Sequence, residues 1–298
     1  VTTPDHANES HGQGGRAGNL TLRVASAAVL APVTLAVTFA DGWIFLALCA
    51  LAAGIVLWEW TALASDRNDP RVLAPGWAAL FTAMICLGFR LPAAAWAVLA
   101  LGAILAGVLV AGRHGGTRTL VLGNGTSARW SGAGVLYAGV LLLAPALLRD
   151  DPEWGLTALL FLFANVWATD IFAYFCGRAV GGPLLWPTVS PRKTWSGAAG
   201  GLVGGVAASV AVAYASGIGR LGIVGVMALV FSVLAQAGDL FESAVKRRFG
   251  AKDASHLIPG HGGLMDRLDG FLVAALAALL IGMIRYGTAA PARGLLVW

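Results

Sequence analysis

The stretch SAVKRRFGAKDASHLIPGHGGLMDRLD, Ser243 to Asp269, decides how the rest of the chain is read. It holds five basic and three acidic residues, in a chain of 298 residues that is only 12% charged. Apolar runs border it on both sides, over residues 221–241 and 270–286. Each run has about the length a helix needs to cross ~30 Å of hydrocarbon. The charge therefore belongs at a membrane surface, on a connection between two spans.

Working outward, similar runs lie near 24–40, 43–64, 72–89, 92–111, 132–148, 154–176 and 197–215. Together they predict an all-α polytopic membrane protein of about nine transmembrane helices, since no strand-like alternation persists and a helix satisfies its own backbone in lipid. The composition agrees: 58% of residues are hydrophobic, and the charged fraction is about half the ~25% usual in soluble proteins. Residues 1–20 read as a disordered cytoplasmic tail, 21–150 as N-terminal transmembrane helices and 151–298 as a C-terminal transmembrane catalytic region. The first run has no convincing small-residue cleavage site and is read as a span, not a signal peptide. Cys49, Cys86 and Cys176 fall inside apolar segments without metal-ligand spacing, and read as buried small hydrophobes.

Lys and Arg alternate in number between successive connections. Fifteen fall on the side of the N-terminal tail and five on the other (Arg90, Arg149, Arg220, Arg285 and Arg293). The positive-inside rule then places the N-terminus and the connections 177–196 and 242–269 in the cytoplasm, and the C-terminus outside. The net charge of +5 records this topology and an affinity for anionic headgroups, so no nucleic-acid partner is expected.

Chemistry concentrates in those two connections. On a continuing helix Asp239, Ser243 and Lys246 share one face, with Glu242 close by. An Asp behind so apolar a run is costly unless paired or liganded, although a snorkelling helix end also fits. Asp266 and Asp269 open the last span, where one carboxylate would serve as a cap and two suggest more. Consecutive antiparallel spans put Asp239 and Asp266 at one depth, as hard ligands suited to Mg²⁺. The turn Pro259-Gly260-His261-Gly262-Gly263 lets backbone amides approach phosphate oxygens, or is simply a flexible hairpin. Upstream, Asp170 lies inside the sixth span with Tyr174 at i+4. The turn Ser190-Pro191-Arg192-Lys193-Thr194 brings two cations and two hydroxyls to the interface, or serves only as a positive-inside stop. Gly197, Gly201 and Gly205 recur at four-residue spacing, a helix-packing face.

In register, Ser243, Lys246, Arg247, Lys252, Asp253, Ser255, Pro259, His261, Gly262, Gly263, Asp266, Arg267 and Asp269 resemble the signature of the phosphatidate cytidylyltransferase (CDP-diacylglycerol synthase) family. Asp170, Ala173, Tyr174, Gly177, Arg178, Ser190, Pro191, Lys193, Thr194 and Gly197 are similar to that family's upstream pattern. Arg192 replaces its usual Lys and Ser196 its usual Glu. The resemblance is specific over about 165–270. It implies an enzyme of the inner membrane, with its site facing the cytoplasm, that joins CTP to phosphatidic acid and releases pyrophosphate. It further implies Mg²⁺ on Asp239 and Asp266, a second, monovalent cation, and a homodimer. Catalytic roles then fall to Asp239, Lys246, Asp266 and Asp269. Substrate contacts fall to Asp170, Ser190, Arg192, Lys193, Thr194, Ser243, Arg247, Lys252, His261 and Arg267. A CTP-dependent transferase acting on another lipid, and a secondary transporter using intramembrane Asp residues, are the alternatives.

Overall fold

The computed structural model describes residues 26, 28–40, 42–64, 68–112, 124–258 and 262–298. Among them, eight helices are long and apolar enough to cross a membrane. They are α2 (Gly42–Ala64), α3 (Pro70–Gly88), α4 (Pro92–Ala111), α5 (Asn124–Arg149), α6 (Gly155–Val180), α7 (Trp195–Ala215), α8 (Leu221–Arg248) and α9 (Met265–Tyr286). A shorter apolar helix, α1 (Ala28–Ala40), occupies the described part of the first expected span. A short α10 (Pro291–Leu296) packs back on α9. The expected tail, 1–20, lies outside the described residues.

Local sequence sets the helix starts. Pro70 and Pro92 open α3 and α4, where a missing N–H costs nothing, and Asp69 accepts the Arg71 amide at 3.0 Å. The 28 residues of α8 would measure ~42 Å, more than the ~30 Å of hydrocarbon, so its charged last turns emerge at the surface. Large apolar side chains such as Leu101, Ile104 and Val108 on α4 and Val226 and Val233 on α8 are exposed to the space lipid would fill.

One expectation is corrected outside the spans. The segment 190–194 is a strand, not a turn: β1 (Leu184–Trp186) pairs antiparallel with β2 (Ser190–Thr194), with Leu184 opposite Thr194 and Trp186 opposite Ser190. Because the connection leaves the hydrocarbon, water can satisfy the outer edges of this hairpin. The cysteines are also less uniform than expected. All three are free, but only Cys49 is buried, while Cys86 and Cys176 are half-buried.

The glycine face on α7 is present and tight. A Cβ on Gly197 would come within 2.8 Å of the Ala173 carbonyl oxygen, and one on Gly201 within 2.9 Å of that of Thr169. At Gly205 it would run into Thr169 Oγ1. This close approach lets buried polar groups bridge three helices. The Asn165 amide donates to Ser209 Oγ and to the Ala228 carbonyl at 2.9 Å, and the Thr169 and Ser232 hydroxyls meet at 2.7 Å. Gly205→Ala is therefore expected to lower the thermal midpoint of the purified protein, with an overpacking cost of about 1–3 kcal/mol. Gly219→Ala, at a glycine with no atom in the way, should not.

The two ends of the bundle differ. Arg90, Arg149 and Thr288 line one pocket at one end, where Arg149 Nε also donates to the Thr38 carbonyl at 3.0 Å. At the other end the C-termini of α2, α6 and α8 meet the hairpin and the segment before α9. The charged residues gather there.

Candidate functional site

A close helix crossing sets up the site. A Cβ on Gly238 of α8 would lie 2.7 Å from the Asp269 carbonyl oxygen, and one on Gly270 of α9 would lie 3.0 Å from that of Ala235. Asp239 and Asp269 each adjoin one of these glycines in sequence, so the crossing brings their backbones together. Asp170, on α6, completes a group of three carboxylates that act on one another electrostatically. Lys193 pairs with Asp239, and both Lys193 and Arg267 act on Asp170 as counter-charges. Ser243 Oγ lies 3.4 Å from Asp239 Oδ1, and Asp269 Oδ1 accepts the Gly270 amide at 2.7 Å.

Asp266 belongs to a second group, one helical turn (about 5 Å) nearer the connection. Lys246 Nζ lies 2.5 Å from Asp266 Oδ1 and 2.5 Å from Glu242 Oε2. Asp266 Oδ2 accepts the amides of Gly263 at 2.8 Å and Ala254 at 3.1 Å. The expectation that Asp239 and Asp266 face each other at one depth is thus refined. Across the crossing Asp239 and Asp269 act on each other electrostatically, while Asp266 meets Lys246 and Glu242. The α8–α9 register follows from where the glycines permit contact, and spacing within either helix does not reveal it.

The hairpin sorts its two cations by strand alternation. Lys193 turns in toward Asp239, whereas Arg192 is exposed. Thr194 Oγ1 caps α7 by accepting the Gly197 amide at 3.1 Å. Ser196, which stands where Glu is usual in the resembling family, donates to the Gly181 carbonyl and meets Thr194 Oγ1 at 3.0 Å, so this position braces the hairpin. Ser190 is half-buried in β2. Arg247 is exposed beside the hairpin, donating to the Ala251 carbonyl at 3.2 Å. Lys252 is exposed on the α8–α9 connection. His261 lies outside the described residues.

Sequence reading missed Glu59, on α2. It is fully buried, with Oε1 accepting Ser255 Oγ at 2.5 Å and the Leu264 amide at 2.9 Å, and Oε2 accepting the Met265 amide at 2.6 Å. An acidic residue near the end of an apolar run (VLWEW) was the one signal that could have found it.

The donors fit a magnesium ion in kind, being carboxylate and hydroxyl oxygens throughout. Among the described residues no three metal-ligating side chains are already drawn around one point. Lys193 and Lys246 stand against the carboxylates instead. Asp239 is the more open carboxylate, about one-third exposed. Asp266 already has Oδ2 taken by two amides and would offer Oδ1.

Comparisons with known proteins bear on the whole chain. The sequence model of the cytidylyltransferase family matches residues 21–284. A phosphatidate cytidylyltransferase of Brucella abortus (strain 9-941) is 44% identical over 270 residues, covering 89% of this chain and 94% of the relative. Its counterpart in Haemophilus influenzae is 44% identical over 142 residues, 46% of this chain and 49% of the relative. That of Bacillus subtilis is 38% identical over 141 residues, 46% and 51% respectively. Likeness on this scale, spanning the helices as well as the charged end they carry, means that the chain belongs to the cytidylyltransferase family and is a nucleotidyltransferase built into the membrane.

Proposed function

We propose that this chain condenses CTP with phosphatidic acid, releasing pyrophosphate and leaving CDP-diacylglycerol in the bilayer. One observation carries the reading at the level of chemistry. Two lysine–carboxylate pairs, Lys193–Asp239 and Lys246–Asp266, stand together where the α6–α7 and α8–α9 connections meet. The names of the relatives supply the substrates.

In this mechanism an oxygen of the lipid phosphate forms a bond to the α-phosphorus of CTP. The bond from that phosphorus to the oxygen bridging to the β-phosphate breaks, and pyrophosphate leaves. No side-chain nucleophile is required; the protein aligns the two phosphates and neutralises charge. Lys193 and Lys246 can turn from their carboxylates to phosphate oxygens, with Arg192, Arg247, Lys252 and Arg267 around them. Asp239 and Asp266 would hold Mg²⁺, beside Asp269 and Ser243. Bound there, the ion supplies further neutralisation of the triphosphate. A second, monovalent cation and a homodimer belong to the same proposal.

Purified protein given CTP and Mg²⁺ should release pyrophosphate only when phosphatidic acid is added. Release with a different lipid phosphate, and not with phosphatidic acid, would move the reading to another acceptor. Membership of the cytidylyltransferase family sets the transporter reading aside.

We further place the site on the cytoplasmic side of the inner membrane, supported by the 15-to-5 segregation of Lys and Arg. Cysteine at the exposed positions Thr188 and His256 should react with an impermeant thiol reagent only in inside-out vesicles. Cysteine at exposed Thr288 should react only from the opposite face. Labelling of all three from one side would break this topology.

A further inference from the structure

The start of α9 has an unusual division of labour. Leu264, at its N-cap position, makes no side-chain capping bond. Three successive amides at this helix start instead go to carboxylates: Gly263 to Asp266, then Leu264 and Met265 to Glu59. Glu59 comes from α2, 206 residues before Met265. It is fully buried, so its three hydrogen bonds are what make its place in the core tolerable. Its position is rigid as well. The neighbouring Trp60 donates to the Trp130 carbonyl at 2.9 Å, and its ring lies 4.9 Å from that of Tyr137. A Cβ on Gly263 would come within 2.7 Å of Glu59 Oε1, so this glycine lets the segment close down on the carboxylate.

We infer that Glu59 is a positioning residue that caps α9 from a distance and thereby leaves Asp266 free to face Lys246. The inference rests on the proposed function for its readout. Free amides at a helix start recruit the nearest carboxylate. Without Glu59, the nearest is Asp266, itself in the first turn. Asp266 would then turn toward the Leu264 and Met265 amides and away from Lys246. Ser255, held by the same oxygen of Glu59, ties the far end of the connection to this point. Glu59 touches neither the reacting phosphates nor the lysines in this scheme, and acts only through Asp266, Ser255 and the amides of Leu264 and Met265.

The test uses the full chain in lipid–detergent micelles. Glu59→Gln keeps the size of the side chain but offers only one acceptor oxygen for three donors. Its turnover should fall at least about thirtyfold with the thermal midpoint within about 3 °C of wild type. Hydrogen exchange at Leu264 and Met265 should rise at least about tenfold, with the middle of α8 and α9 unchanged. A variant that loses stability yet turns over at the wild-type rate per folded molecule would overturn the inference, because Glu59 would then only hold the fold together. Unchanged exchange at the two amides would overturn it as well. If Glu59→Gln does not fold, Ser255→Ala removes one of the three bonds from the less buried side. It should lose about fivefold in turnover at unchanged thermal midpoint, and a wild-type rate there would sink the inference. Failure of the wild-type protein to release pyrophosphate would count against the proposed function alone, since the exchange comparison still tests the clamp.

Discussion

Asp239→Asn and Asp266→Asn are each expected to reduce turnover below about a tenth of wild type at saturating Mg²⁺, a loss of more than ~1.4 kcal/mol in transition-state stabilisation. The two should fail for related but distinguishable reasons. Asn at 239 removes the charge that holds Lys193 and keeps the bulk, so insertion and folding should persist. Asn at 266 can still turn its carbonyl oxygen to the Gly263 and Ala254 amides, but its NH₂ then meets Lys246, where a carboxylate oxygen stood. The helix start should therefore stay ordered while Lys246 loses one of its two carboxylate partners and keeps Glu242. Activity above a tenth in either variant, measured by CTP-dependent pyrophosphate release, would remove that residue from the site.

The double variant Arg192→Gln/Lys193→Gln should insert normally and lose at least about a hundredfold in rate, ~2.7 kcal/mol. Topology has thirteen other basic residues on the same side (15 minus 2), so orientation does not depend on this pair. Strand alternation divides the effect between the two. Lys193, facing Asp239, should account for most of the loss as a single Lys193→Gln variant, whereas exposed Arg192 should account for less. Arg192→Lys should stay active, because an exposed position with no bidentate partner among the described residues keeps what it needs in a point charge. Wild-type kinetics in the double variant would reduce the hairpin to a topological anchor.

These expectations draw unequally on sequence and structure. The charged segment 243–269 between two apolar runs was enough to place a membrane surface, and the register of its fixed residues was enough to suggest the family. Asp170, Asp239, Asp266, Asp269, Lys193 and Lys246 were all legible as candidates, because ionisable groups beside hydrocarbon stand out against an apolar background. The strand at 190–194 was not legible. Five residues containing a proline carry no usable alternation, and pairing with 184–186 is decided between segments.

Composition and run length alone determined that this chain is a bundle of membrane helices. Lipid cannot hydrogen-bond a backbone, so any apolar run of sufficient length must satisfy itself locally. The partners of each charge had no such local rule. Asp239 and Asp269 come within electrostatic reach because Gly238 and Gly270 let two helices touch, and the same packing sets Asp266 against Lys246. Glu59 reaches Met265 across 206 residues because the packing of α2 carries it there. Those choices depend on where two surfaces fit, a property of pairs of helices that neither sequence segment contains by itself.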